Sequence, residues 1–289
     1  MEYLAHILAM AGVYVILTVS LNLVVGYAGL PAMGHSAFFC VGAYASSLLA
    51  LNAGISPWLG ILAAAVIAAV CGWVVSLSAV RLAGDILALA TFAFAVVTHS
   101  IARNWIDLTR GPMGLPGIPP FRFFGLPLDT AWAFLPLVGA VCCLTFFLSK
   151  RLVESPFGRV LQGIREDEIM TASLGKDVPR YKRTVFVVGA LLAGMAGTLY
   201  AHYITYIDPS SFTPMESFTI LLMVVFGGMG SLTGSLAGAV LLVFLPELLR
   251  FMGLPSAVAA PLRQMTYGVL LVALMLVRPQ GLLGKFKWR

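Results

Sequence analysis

Charge is what this sequence has least of. Only 10% of its 289 residues are Asp, Glu, Lys or Arg, against about 25% in an ordinary soluble domain. With a mean hydropathy of +0.96 over the whole length, no sizeable water-soluble domain can be set aside. Cysteine is also scarce: Cys40, Cys71, Cys142 and Cys143 lie in apolar runs, at spacings that fit neither a disulfide framework nor a zinc site. They read as small packing residues. No pair of histidines or carboxylates has metal-ligand spacing, so no metal is expected. A phosphate cradle of the form G-x-x-x-x-G-K-[ST] is missing as well. Gly175-Lys176 and Gly284-Lys285 lack both the upstream glycine and the following hydroxyl. The chain therefore has no nucleotide site of its own by this route. The N-terminus has no basic stretch before its apolar run, as a secretory leader would, and reads as a retained first span.

What is present is long apolar segments. Crossing the hydrocarbon takes about 20 residues, and candidate spans fall at 4–25, 33–51, 57–80, 84–102, 131–149, 184–203, 216–229, 233–250 and 263–278. The expected fold is an all-α polytopic membrane protein of about nine spans (eight to ten), one domain over 1–289. The seventh span is short and ends in glycines, so it is broken or re-entrant. The formal charge of +6 does not suggest nucleic acid, because twelve of the eighteen Lys and Arg lie within 150–183 and 278–289. Basic clusters beside spans mark the cytoplasmic side. Placing both clusters there puts the N-terminus outside and the C-terminus inside, with an external loop at 103–130 and a cytoplasmic loop at 150–183.

The cytoplasmic loop carries an amphipathic pattern at 155–175. Pro156 suits a first helical turn and Gly175 a left-handed C-terminal cap. Val160, Leu161, Ile164 and Ala172 can share one face, while Arg165, Glu166, Asp167 and Glu168 form a charged patch. A helix lying on lipid usually shows a basic polar face. This one is mostly acidic at its centre, which favours a protein partner over a bilayer surface.

Two helix breaks stand out, Gly26-Tyr27-Ala28-Gly29-Leu30-Pro31 and Gly227-Gly228-Met229-Gly230. Broken helices inside a membrane must face protein or a watery cavity, and their exposed N–H groups suit a carboxylate. Asn22, Ser36, Tyr44, Thr91 and Thr98 are the polar residues available to line a path with Gly26, Tyr27, Gly29, Gly227, Gly228 and Gly230. The competing reading is close helix packing, which Gly230, Gly234 and Gly238 also fit. His35 is either a functional group of the path or a structural one satisfied by a loop carbonyl. The segments 24–37 and 224–237 echo each other, either as an internal repeat or as two Gly-rich apolar stretches alike by chance.

Four stretches in order, LNLVVGYAGLPAMGHSAFFCVGAYAS (21–46), LTRGPMGLPGIP (108–119), GRVLQGIREDEIMTASLGKDVPRYKR (158–183) and GTLYAHYITYIDPSSF with VVFGGMGSLTGSLAGA (197–239), resemble the LivM-type permease of branched-chain amino-acid ABC transporters. Thr109-Arg110-Gly111 departs from the Thr-Gly-Gly common in that family, so no ligand role is carried to Arg110.

The resemblance implies a non-enzymatic transport subunit in a bacterial inner (plasma) membrane. It binds no cofactor itself, ATP and Mg being held by two separate ATPase subunits. A homologous second permease pairs with it, and an external binding protein delivers substrate. Arg165, Glu166, Asp167, Glu168 and Gly175 then belong to the helix that docks on an ATPase. Thr109, Gly111 and Gly114 lie where the binding protein would sit, although the outer loop could equally plug the path. Branched-chain amino acids are the expected cargo, with urea or short-chain amides as the alternative. A secondary transporter or channel would bury acidic residues at mid-span, and none sits there. A membrane enzyme would need a catalytic constellation, and none is present.

Overall fold

The computed structural model describes residues 2–79, 81–82, 84–123, 126–250, 265–266, 268–270, 272–273, 276, 278 and 280–284. Six helices are long and apolar enough to cross a bilayer. These are α1 (Glu2–Asn22, continued by a π turn over Leu23–Tyr27), α2 (His35–Ala53), α3 (Pro57–Ala79), α4 (Gly84–Asn104), α6 (Ala131–Glu154) and α9 (Val178–Ile204). A four-residue helix, α5 (Ile106–Thr109), follows α4. The helical pair α7 (Pro156–Glu166) and α8 (Glu168–Ser173) joins α6 to α9. Two further apolar helices complete the described bundle, α10 (Pro214–Gly227) and α11 (Leu232–Arg250). With 14 residues, α10 reaches about 21 Å, short of the ~30 Å hydrocarbon thickness. Of the ninth expected span, 263–278, nine residues are described and eight of them (265–266, 268–270, 272–273 and 276) are helical, while most of the tail after Arg278 lies outside the described residues.

The spans pack through small residues, as helices in lipid must when no apolar gain separates protein from solvent. Gly42 of α2 sits against the backbone of Gly194 on α9, and a Cβ at Gly194 would stand 2.5 Å from that of Ala68 on α3. Such contacts hold α9 at the centre, between α2 and α3. Leu62, Val66, Val70 and Trp73 of α3 and Ile86, Leu89 and Val97 of α4 face outward. A soluble protein rarely exposes such an apolar surface; a lipid-facing one must.

The two ends of the bundle differ. At one, the loop 105–130 is tied down: β1 (Leu115–Pro116) pairs antiparallel with β4 (Tyr206–Ile207), and β2 (Arg122–Phe123) with β3 (Leu126–Pro127). The His202 Nδ1–H donates to Pro119 O at 2.6 Å and Trp58 Nε1–H to Arg122 O at 2.8 Å. At the other end gather the α1–α2 turn, the α10–α11 turn, α7 and residues 282–284. Leu282 N and Leu283 N donate to Phe226 O and Gly227 O, each at 3.0 Å.

The loop expected at 150–183 is shorter in the structure. Helix α6 runs on to Glu154 and α9 starts at Val178, where the Asp177 carboxylate accepts from Arg180 N at 3.3 Å. The single helix expected over 155–175 is instead two. Asp167 is extended (φ −153°, ψ 107°), and its carboxylate caps α8 by accepting from Met170 N at 2.8 Å. Asp is a strong N-cap residue, so it starts a new helix rather than continuing the old one.

Candidate functional site: two helix breaks and a helical pair

Helix α1 ends in a π turn, a form concentrated at functional positions. The chain then runs non-helically through 28–34 and re-enters the bundle. Met33 N donates to Thr91 Oγ1 of α4 at 2.9 Å, and α2 begins at His35 beside Ser20, two turns back along α1. His35 and Ser20 share a hydrogen bond at 2.6 Å. The expected partner was a loop carbonyl. Ser20 takes that place because re-entry carries His35 inside the bundle, where no loop reaches. Ser36 N donates to Ser217 Oγ of α10 at 2.9 Å, and the Ser217 hydroxyl donates to Ser36 Oγ at 2.7 Å.

The second break is tied to the first by one side chain. Asn22 Nδ2 donates to Ser231 O at 2.9 Å and to Ser235 Oγ at 2.6 Å, while Gly230 N donates to Asn22 Oδ1 at 3.0 Å. The Tyr27 hydroxyl also lies close to the Leu232 backbone. A helix start leaves four N–H groups without helical partners. In α11 the Ser231 hydroxyl caps Gly234 N at 3.1 Å, and Asn22 of α1 holds that capping residue and Gly230 before it in a buried place. Gly26 permits the approach, since a Cβ there would stand 2.7 Å from Gly230 N. Gly227 lies against Gly234 backbone to backbone, and Gly228 (φ +113°) against Gly284. Among the residues expected along a path, Asn22, Gly26, Tyr27, Gly227, Gly228 and Gly230 therefore converge in one cluster. His35, Ser36 and Thr91 form a second at the start of α2. Tyr44 lies apart, packed on Phe212 with its hydroxyl buried and without a hydrogen-bond partner among the described residues. Thr98 turns back on its own helix, donating to Phe94 O.

The α7–α8 pair divides the expected charged patch. Arg165 turns inward: its guanidinium donates to Gly26 O, and its stem lies under Gly29 (φ +67°), where a Cβ would stand 2.8 Å from Arg165 Cγ. Burial lowers the guanidinium pKa, with Glu166 and Tyr27 acting in the opposite direction. Glu168 pairs with Lys182 at 2.6 Å, a lysine only 4% exposed. Glu166 and Asp167 remain on the outside. Leu161 and Ile164 are buried as expected, but Ala172 is exposed because the break at Asp167 rotates α8. That rotation presents three apolar residues the sequence pattern did not single out: Ile169 (83% exposed), Leu174 (74%) and Met170. Gly175 follows with φ +75°, in the left-handed conformation glycine accepts cheaply.

At the opposite end, Thr109 is buried and donates to Ala102 O and Trp105 O, both at 2.7 Å. A Cβ on Gly111 (φ +54°) would stand 2.7 Å from Arg103 O, and one on Gly114 (φ +66°) would run into Ile207 and Tyr206. These three shape the cap from within, while Trp105, Ile106 and Met113 form its exposed surface. Between α1, α10 and α11 opens a cavity of about 650 Å³, lined among others by Met10, Tyr14, Glu216, Leu222, Leu242 and Glu247. Tyr14 donates to Glu216 Oε1 at 2.6 Å. Among the described residues no three His, Cys, Asp or Glu converge as a metal site would need.

Lipid-length helices, two breaks buried inside the bundle and a helical pair displayed at one end define a multi-pass membrane permease. The chain belongs to the family described as branched-chain amino acid transport system, permease component, whose model matches residues 3–277. It is 36% identical over 300 residues to the high-affinity branched-chain amino acid transport system permease protein LivM of Salmonella typhimurium, covering 96% of this chain and 69% of that protein. The probable LivM of Methanocaldococcus jannaschii is 28% identical over 323 residues, covering 98% of this chain and 93% of that protein. LivH of Escherichia coli K12, described as a permease protein of the same kind of system, is 26% identical over 298 residues (94% and 91%). No solved structure matches the chain.

Proposed function

We propose that this chain is the permease subunit of an ATP-driven importer for branched-chain amino acids, moving its cargo by alternating access. The observation that carries the reading is the family match over residues 3–277. The whole chain, 1–289, acts as one membrane domain of about nine spans in a bacterial inner membrane. Arg165 and the Leu282–Gly284 segment both reach the turns at one end of the bundle, so the loop of α7 and α8 and the segment after Arg278 share a side. Twelve basic residues lie within 150–183 and 278–289, which supports a cytoplasmic placement and an external N-terminus.

On this reading, separate ATPase subunits hold ATP and Mg and dock on α7 and α8. Glu166 and Asp167 offer charge there, Ile169, Met170 and Leu174 offer an apolar anchor, and Gly175 ends the docking segment. Arg165 and Glu168 hold the segment to the bundle. The similarity to both LivM and LivH supports a pair of homologous permeases. An external binding protein meets the cap that Thr109, Gly111 and Gly114 shape. The breaks, with Asn22, Tyr27, His35, Ser36 and Thr91, line or move the path. The cavity beside α10 falls in the range of small-molecule sites, about 300–1,000 Å³.

The test is uptake of labelled leucine by proteoliposomes holding the complete complex. ATP-dependent uptake is the expected result. Uptake of urea or short amides in place of leucine would reassign the cargo, and leucine flux without the ATPases would remove the importer reading. Replacing Ile169 with Asp should release the ATPases on purification while the permease stays folded, since exposed positions alter stability by at most about 0.5 kcal/mol.

A further inference from the structure

We infer that Arg165 is a positioning residue that carries motion of the docking pair into the α10–α11 break, through the π turn of α1. The inference rests on the importer reading above, in which α7 and α8 receive an ATPase, and it departs from a patch in which Arg165 meets that partner directly.

Each joint of this connection is a contact in the structure. Helix α7 is fixed on its inner face by Leu161 and Ile164, both buried. From that face the Arg165 guanidinium donates to Gly26 O, a carbonyl in the last turn of α1, where a cation is favoured by the helix dipole. The same side chain supports Gly29 through its aliphatic stem, so Arg165 grips the chain on both sides of the point where α1 gives way to the re-entrant stretch. Gly26 belongs to the π turn at Leu23–Tyr27, which places one more residue in the turn than an α-helix holds. Such a turn can exchange with α geometry by shifting register, and so supplies the two-arrangement element that a coupling claim requires.

The turn in turn holds the second break. Asn22, just before it, takes Gly230 N and donates to Ser231 O and Ser235 Oγ, and Tyr27 at its end reaches Leu232. A register shift in Leu23–Tyr27 therefore cannot leave the start of α11 where it is. It must either drag that helix or break the buried Asn22 bonds and leave Gly230 N unpaired, a loss of about 1–3 kcal/mol. Bonded groups with no water to replace them make a rigid joint. The docking face and the second break thus meet through two side chains, Arg165 and Asn22, and one backbone turn.

The experiment uses the complete complex in proteoliposomes, with leucine uptake and ATP hydrolysis measured together and ATPase retention read by co-purification. Arg165→Gln should keep the ATPases bound while uptake per ATP falls about tenfold, within the usual span of coupling factors. Arg165→Lys, which keeps a cation of shorter reach, should recover part of that ratio. Because Asn22→Ser interrupts the same path, the double variant should lose less than the product of the two single losses. An unchanged ratio in Arg165→Gln and Arg165→Lys would overturn the inference. So would loss of the ATPases from Arg165→Gln, which would make Arg165 a docking contact, or fully multiplicative losses in the double variant. If the wild-type complex shows no ATP-driven leucine uptake, the importer reading itself falls, and this inference with it.

Discussion

The two helix breaks begin alike and end differently. Both follow a Val-Val pair, at Val24-Val25 and Val224-Val225, and α1 and α10 run in the same direction. Tyr14 meets Glu216, Thr18 meets Met223, and Asn22 meets Gly230 in succession. Past the Val pair, the first break spends seven residues outside helix and brings α2 in at the level of Ser20. The second turns within four, between Gly227 and Leu232. The difference lies in what holds them. The first is held by side chains from elsewhere, Arg165 at its outer end and Thr91 at its inner end. The second is held by a single side chain, Asn22 of α1, and otherwise by glycine backbones in contact, Gly227 with Gly234 and Gly228 with Gly281 and Gly284. A break clamped by side chains can be released one hydrogen bond at a time, whereas a glycine seam admits no extra atom.

The most severe change should therefore be Gly227→Val. Its side chain would enter the Gly234 backbone, and overpacking of this kind costs about 1–3 kcal/mol or more, added to a lost helix contact. Failure to accumulate folded protein, or a drop of many degrees in the thermal transition of the detergent-purified chain, is the expected readout.

Next comes Asn22→Ala, which leaves Gly230 N without its acceptor, while Ser231 O and Ser235 Oγ lose one partner each but keep their bond to one another, for a loss of about 1–3 kcal/mol. The same melting experiment checks it, and a melting point equal to wild type would show that water or a rearrangement replaces the clamp. A smaller effect is expected for Glu168→Gln. Lys182 would keep its burial and lose its carboxylate, but Glu168 is half-exposed, which limits the loss to about 1 kcal/mol.

The smallest effect sharpens the comparison most. Gly29→Ala and Gly54→Ala both force alanine to positive φ, at +67° and +62°, a strain of about 1 kcal/mol each. Gly54 has open space, whereas a Cβ at Gly29 meets Arg165. Any excess loss in Gly29→Ala therefore measures the contact with Arg165, and equal losses would show that the arginine stem simply moves aside.

Much of this was legible in the residues. Length and apolarity fixed six spans within a few positions, and Pro156, Gly175 and the glycines of both breaks stand where their backbone preferences predict. Other parts were not legible. The split of the helix expected over 155–175 at Asp167 was missed because its three neighbours are also charged, so the capping residue did not stand out. Ile169, Met170 and Leu174 were missed for the same reason, since a helix continued through Asp167 aims them elsewhere. Arg165 and Glu168 looked like members of one exposed patch, and only their partners, Gly26 and Lys182, separate them from Glu166 and Asp167. Thr109, Gly111 and Gly114 were read as a surface, yet positive φ and internal hydrogen bonds make them the frame of one.

The sequence by itself determined that this chain lives in lipid and roughly where its six long helices run. Those properties follow from local composition and period. The tertiary structure alone decided that Asn22 joins residues about 200 positions away and that Arg165 reaches into α1. It also decided that α2 starts inside the bundle. Each depends on which backbone groups lack water and must find a partner in space, and that condition exists only once the helices are packed.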